Sequence, residues 1–149
     1  QLKEAYQLAR IINHFQGFWF IAEKSKRNQW NINLSEVARI WTNGCIIRSS
    51  LMQRLVMVLE EDSTILSHHE ILGLIQKNCS SLAMIVSMAV QQQIAIPCFS
   101  EAINFLNGIS TENSGANLIQ AQRDYFGAHR FQRNDAPDGT LFHHQWEEL

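Results

Sequence analysis

Apolar residues return at three- and four-residue steps through Leu2, Ala5, Leu8, Ala9, Ile12, Phe15, Trp19 and Ala22, which is the period of an α-helix. A long first helix is expected. Gly17 inside it costs about 0.8 to 1 kcal/mol relative to alanine, which makes most sense where another backbone packs close. Lys24, Lys26 and Arg27 follow near the C-terminus of this helix, where positive charge meets the negative end of the helix dipole. Asn33 and Glu36 have the spacing of a reciprocal N-terminal cap for a short helix through Val37, Ala38, Ile40 and Trp41, ended or bent by Asn43-Gly44. The pattern resumes from Cys45 through Ile46, Ile47, Leu51, Met52, Leu55, Val56 and Leu59, and runs out in the polar Glu60, Glu61 and Asp62.

Ser67 with Glu70 has the form of a second capping box, opening a long helix from about His68 to Gln93. That helix reads as apolar on most sides through Leu82, Ile85, Val86, Met88, Ala89 and Val90, so it is the candidate for the centre of the domain. Pro97 interrupts the chain, Ser100 is placed to cap a further helix through Ala102, Ile103, Phe105 and Leu106, and Gly108 falls near its end. After a polar stretch from Thr111 to Asn117, a last helix is expected from about Leu118 to Phe126, with Gly127 as its terminator. From Arg130 to Leu149 no period is sustained, yet Phe142 and Trp146 give this tail apolar anchors. No alternating βα pattern or internal repeat is present. The expected fold is all-α, a multi-helix domain with an extended C-terminal tail.

Composition sharpens this picture. With 149 residues, 46% of them hydrophobic, the chain can bury one substantial core. Charged residues make up 17%, and 12 basic against 14 acidic residues leave a net charge of -2, which is a poor surface for the nucleic-acid backbone. Low charge with Phe15, Phe18, Trp19, Phe20 and Ile21 crowded into a turn and a half points to a partner interface. Cys45, Cys79 and Cys98 are widely spaced among apolar residues and read as buried free thiols in a reducing compartment. There is no signal-peptide pattern, and the densest apolar run, Leu82 to Val90, falls short of the roughly 20 residues that cross a bilayer. A cytoplasmic protein without a membrane partner is expected.

Little of the chain reads as catalytic. No glycine-rich phosphate loop is present, and the pairs His68-His69 and His143-His144 lack the further clustered ligands a metal needs, so no metal is expected. The segment from Gln120 to Arg130 is denser in chemistry. Arg123 supplies a planar fork suited to a carboxylate or phosphate, and His129 adds a compact donor if the helix breaks at Gly127 and turns it toward the same ligand. From the residues alone, Arg123 serves either a structural carboxylate or a ligand, and His129 either caps a helix end or binds.

The same segment, Leu118-Ile119-Gln120-Ala121-Gln122-Arg123-Asp124-Tyr125-Phe126-Gly127-Ala128-His129, resembles the C-terminal helical domain of the decarboxylating 6-phosphogluconate dehydrogenases. Ala9-Arg10-Ile11-Ile12, Gln16-Gly17-Phe18, Trp41, Gly44-Cys45-Ile46-Ile47-Arg48-Ser49, Ile96-Pro97-Cys98-Phe99, Phe142-His143 and Trp146 extend the resemblance over essentially the whole chain. It implies a helical domain over residues 1–129, a partner-clasping tail over 130–149, and an upstream NADP-binding domain absent from these residues. It further implies a cytoplasmic homodimer in which each tail reaches the other subunit. Arg123 and His129 would there bind the phosphate of 6-phosphogluconate. The family oxidises that substrate at C3 and releases CO2 to give ribulose 5-phosphate, in the pentose phosphate pathway. Its proton-transfer lysine, glutamate and asparagine lie upstream, so this segment holds no catalytic residue and is expected to be inactive alone. A related β-hydroxyacid dehydrogenase domain and a non-catalytic dimerisation module are the alternatives. Two departures stand out. Thr42-Asn43 replaces the family's usual Arg-Gly, which would ask Asn43 to take a glycine-like conformation, and His144-Gln145 alters the usual tail motif.

Overall fold

A computed structural model describes residues 1–61 and 64–146, and the expected polar terminus at Asp62 and the tail end at 147–149 lie outside the described residues. The chain divides into two compact units, Gln1–Asn107 and Gly108–Leu149. Six α-helices form among the described residues, with no sheet and a single isolated bridge between Phe131 and Phe142. The architecture is all-α.

The first unit is organised by α1 (Leu2–Asn28). Its Ile11 and Phe18 face a core shared with α2 (Leu34–Trp41) and α3 (Ser50–Glu61), where Ala38, Leu51, Met52, Leu55 and Val58 are buried. Its Ala5, Leu8, Ala9 and Ile12 face a second core with Leu82 of α4 (His69–Gln91) and Ala102, Ile103 and Leu106 of α5 (Pro97–Ser110). The central helix is therefore α1, where the sequence pattern pointed to α4. On α4 the buried stripe contains Asn78 and Ser81, which bond to Gln7 and Glu4 of α1, while Leu72, Met84, Met88 and Val90 are exposed. An apolar residue on a helix records what some surface will accept, and the first unit covers only one face of this one. By length and mean hydropathy alone α4 would also pass for a membrane span.

Several boundaries move for identifiable reasons. Asn33 Oδ1 accepts the N–H groups of Ser35 at 3.0 Å and Glu36 at 3.3 Å, but Glu36 pairs with Arg39 in place of closing a reciprocal box. The third helix starts at Ser50, not Cys45, because Gly44 turns the chain at φ +74 and Ser49 Oγ accepts the Met52 N–H. Ile46 is left fully exposed. The positive φ falls on Gly44, so Asn43 is spared the glycine-like conformation. Ser67 does not cap α4. It closes a 3-10 turn over Ile65–Ser67 by donating to the Thr64 carbonyl, and His68 takes the N-cap position. Pro97 opens α5 with its preset φ, so Ser100 lies inside that helix and Gly108 two residues short of its end.

One further expectation fails, and another finds no counterpart among the described residues. Nothing among the described residues of this chain lies within 4 Å of the Cβ that Gly17 lacks. The three thiols are free but not buried: Cys45 and Cys79 are half-buried and Cys98 is exposed.

In the second unit α6 (Ala116–Gly127) runs through Gly127, and the left-handed C-cap is Ala128 at φ 49, whose N–H returns to the Asp124 carbonyl. The tail then doubles back. Phe131 and Phe142 exchange backbone hydrogen bonds at 2.9 and 2.8 Å, and Gly139 takes φ +84 in the turn between them.

Candidate functional site

Arg123 and His129 are both exposed near the end of α6. Arg123 lies in the helix, and its Nη1 donates to Gln120 Oε1 one turn back at 3.2 Å, which orients the fork along the helix surface. His129 sits just past the Ala128 cap, between two residues with positive φ, Ala128 and Arg130. Its imidazole rests over Gly127, with Nε2 3.0 Å from where a Cβ would stand. Gly127 thus makes room for the ring and leaves the ending of the helix to Ala128.

The sequence reading passed over Asp124, which organises this end of the molecule. Its carboxylate is fully buried and collects four donors. Oδ1 accepts the Arg130 N–H at 2.9 Å and the His143 Nδ1–H at 2.9 Å, while Oδ2 accepts the His144 N–H at 3.0 Å and the Trp146 indole N–H at 2.9 Å. Burial alone would push this carboxyl up. The N–H of His144, the His143 ring, the Trp146 indole and the Arg130 N–H together outweigh it and hold the group well below the usual carboxylate range. A signal was available in the sequence, because an acid in the last helical turn opposes the helix dipole and needs donors from elsewhere. Within the altered tail motif, His144 reaches Asp124 through its backbone N–H, and Gln145 makes none of the four bonds.

Two open hollows flank this arrangement. One of about 590 Å³ is lined by Asn117, Gln120, Phe131, Arg133, Asp135 and Trp146. The other, of about 640 Å³, is lined by Asp124, Tyr125, Gly127, Ala128, His143 and Trp146 among others. Neither is lined by Arg123 or His129, which face outward. Among the described residues no group of three or more His, Cys, Asp or Glu side chains could hold a metal ion.

A family model described as "6-phosphogluconate dehydrogenase, C-terminal domain" matches residues 1–146. The chain belongs to the 6-phosphogluconate dehydrogenase family. Among its relatives, the decarboxylating 6-phosphogluconate dehydrogenase of Aggregatibacter actinomycetemcomitans is 36% identical over 148 residues, covering 97% of this chain and 31% of the relative. The Treponema pallidum enzyme of the same description is 33% identical over 154 residues, covering 97% of the chain and 30% of its own length. A solved 6-phosphogluconate dehydrogenase of Plasmodium falciparum, described in apo form and in complexes with NADP+ and with 6-phosphogluconate, superposes with a TM-score of 0.88 at 34% identity, covering 96% of this chain and 31% of that one. The chain thus spans about a third of the length of its 6-phosphogluconate dehydrogenase relatives, and within that third lie all six helices and the Asp124 cluster.

Proposed function

We propose that this chain is the substrate-binding and dimerisation part of an NADP-dependent dehydrogenase that oxidatively decarboxylates 6-phosphogluconate to ribulose 5-phosphate and CO2. Residues 1–129 form its helical domain and 130–149 an arm that clasps the other subunit of a homodimer. Arg123 and His129 bind the substrate phosphate in the partner's site. One observation carries this assignment: both side chains are exposed at the end of α6 and line neither hollow of their own unit, as groups completing a site on another subunit would be.

The described residues offer no strand, glycine turn and helix in succession, the arrangement that cradles a dinucleotide's pyrophosphate in a Rossmann domain. NADP belongs to an upstream domain, where it accepts the hydride removed from the substrate. The proton-transfer groups belong there as well, and the isolated segment is inactive. What this chain contributes is charge and placement. The Arg123 fork and the His129 ring supply donors to a phosphate remote from the reacting carbons, and fixing that end holds C3 in register for hydride loss. Exposed Trp19 and Phe20 supply apolar surface for a partner copy, and free thiols suit the reducing cytoplasm.

The test is Arg123→Ala in the full-length protein, assayed with 6-phosphogluconate and with gluconate. Loss of a charge-assisted contact should lower kcat/KM for the phosphorylated acid roughly 10- to 150-fold. Gluconate has no phosphate to lose and should be affected far less. Equal penalties for the two acids, in a folded dimer, would remove Arg123 from phosphate recognition.

A further inference from the structure

Resting on that assignment of the phosphate site, we infer that Asp124 is a positioning residue, a buried carboxylate that sets where the His129 imidazole points. Asp124 grips both neighbours of His129. Its backbone carbonyl accepts the Ala128 N–H at 2.8 Å, and its Oδ1 accepts the Arg130 N–H at 2.9 Å. With the peptides on either side held by one residue, the backbone of His129 has little freedom. The ring is then limited on its inner side by Gly127, where a methyl group would meet Nε2 at 3.0 Å and Cδ2 at 3.2 Å.

Charge explains why this carboxylate does not harm an anion site beside it. A bare carboxylate a few residues from a phosphate would repel it. Asp124 is fully buried, and its two oxygens are spent on four donors directed inward. The tail donors among them, from His143, His144 and Trp146, therefore also serve the phosphate site without touching it. They keep Asp124 ionised and fixed, and Asp124 keeps the turn. Asparagine has the same shape but offers one oxygen, so either the Arg130 and His143 pair or the His144 and Trp146 pair would face an amide NH2.

The experiment uses the full-length protein and the variants Asp124→Asn, Gly127→Ala, His129→Ala and the Asp124→Asn/His129→Ala double. Asp124→Asn should raise KM for 6-phosphogluconate about 10-fold with less than about a 2-fold change in kcat, and should add less than about 2-fold on a background already lacking the imidazole. Gly127→Ala keeps every Asp124 bond and displaces only the ring. It should raise the same KM at least 3-fold with thermal unfolding unchanged, and it decides the matter if Asp124→Asn does not fold. Additive penalties in the double variant, a penalty shared equally by gluconate, or a silent Gly127→Ala would overturn the positioning role while leaving His129 as a phosphate ligand. A His129→Ala variant with no phosphate-selective penalty would instead overturn the phosphate assignment and the positioning role together.

Discussion

The indole Nε1 of Trp146 donates to Oδ2 of Asp124 at 2.9 Å, tying the last described residue of the tail to the final turn of α6. Tyr125 meets the same indole edge-on at 5.7 Å, so the tail is fixed by one polar and one aromatic contact on adjacent residues of the helix.

Acid should release this tie late. A carboxyl held below its ordinary value stabilises the folded state fully above the unfolded value, near pH 3.9, and loses that contribution as pH falls further toward the folded value. The Trp146 indole resonance, assigned by Trp146→Phe, should therefore stay at its neutral-pH position down to about pH 4 and move only below it. Movement between pH 6 and 5 would contradict the ionised, fully bonded carboxylate.

His14 should act in the opposite part of the pH range. Burial of its ring pushes it below the ordinary histidine value; the bond from Nδ1–H to the Arg10 carbonyl at 2.7 Å opposes this, and the Arg10 charge adds to it. Nε2 is buried with no hydrogen-bond partner among the described residues. The unfolded chain therefore takes up this proton first, and stability should fall as pH drops through about 6.5, levelling off once the folded form also protonates. His14→Gln should flatten that slope in thermal melts between pH 7.5 and 5.5.

Asn33→Ala should cost about 1 kcal/mol, because two N–H groups at the start of α2 lose their acceptor. For a chain of this size that is a fall in Tm of about 2 to 4 °C. An unchanged Tm would mean that water or Glu36 replaces the cap without penalty.

Phe18 and Phe20 are two residues apart on α1 and should behave in opposite ways. Phe18 is 2% exposed with its ring 5.3 Å from that of Trp41, whereas Phe20 is 61% exposed. Phe18→Ala should destabilise by about 3 to 5 kcal/mol in denaturant unfolding. Phe20→Ala should leave the unfolding of a dilute protomer within about 0.5 kcal/mol and weaken self-association in sedimentation across a dilution series. Strong destabilisation by Phe20→Ala at concentrations where no dimer forms would place that ring in the protomer's own core.

The helices were legible because α1, α2, α4 and α6 repeat apolar residues at the helical period, and that period survives whatever tertiary structure follows. Hydrophobicity cannot say which partner receives an apolar face. Met84 and Met88 are as apolar as core residues, and they are exposed because the first unit packs only the Asn78 and Ser81 side of α4. Arg123 and His129 stood out by residue type and by family resemblance. Asp124 did not, since its partners lie 6 to 22 residues further on in a tail without periodicity, and only folding brings them together.

Ala128 at φ 49 and Arg130 at φ 65 are L-residues in the left-handed region, on either side of His129. Holding such residues there costs of order 1 to 3 kcal/mol each, and the chain sustains it because surrounding bonds over-determine the turn. That conformational cost is met when the protein folds. Under the proposed phosphate assignment, an incoming anion would find the turn around His129 already formed, and its capture would not be opposed by the entropy of ordering a loop.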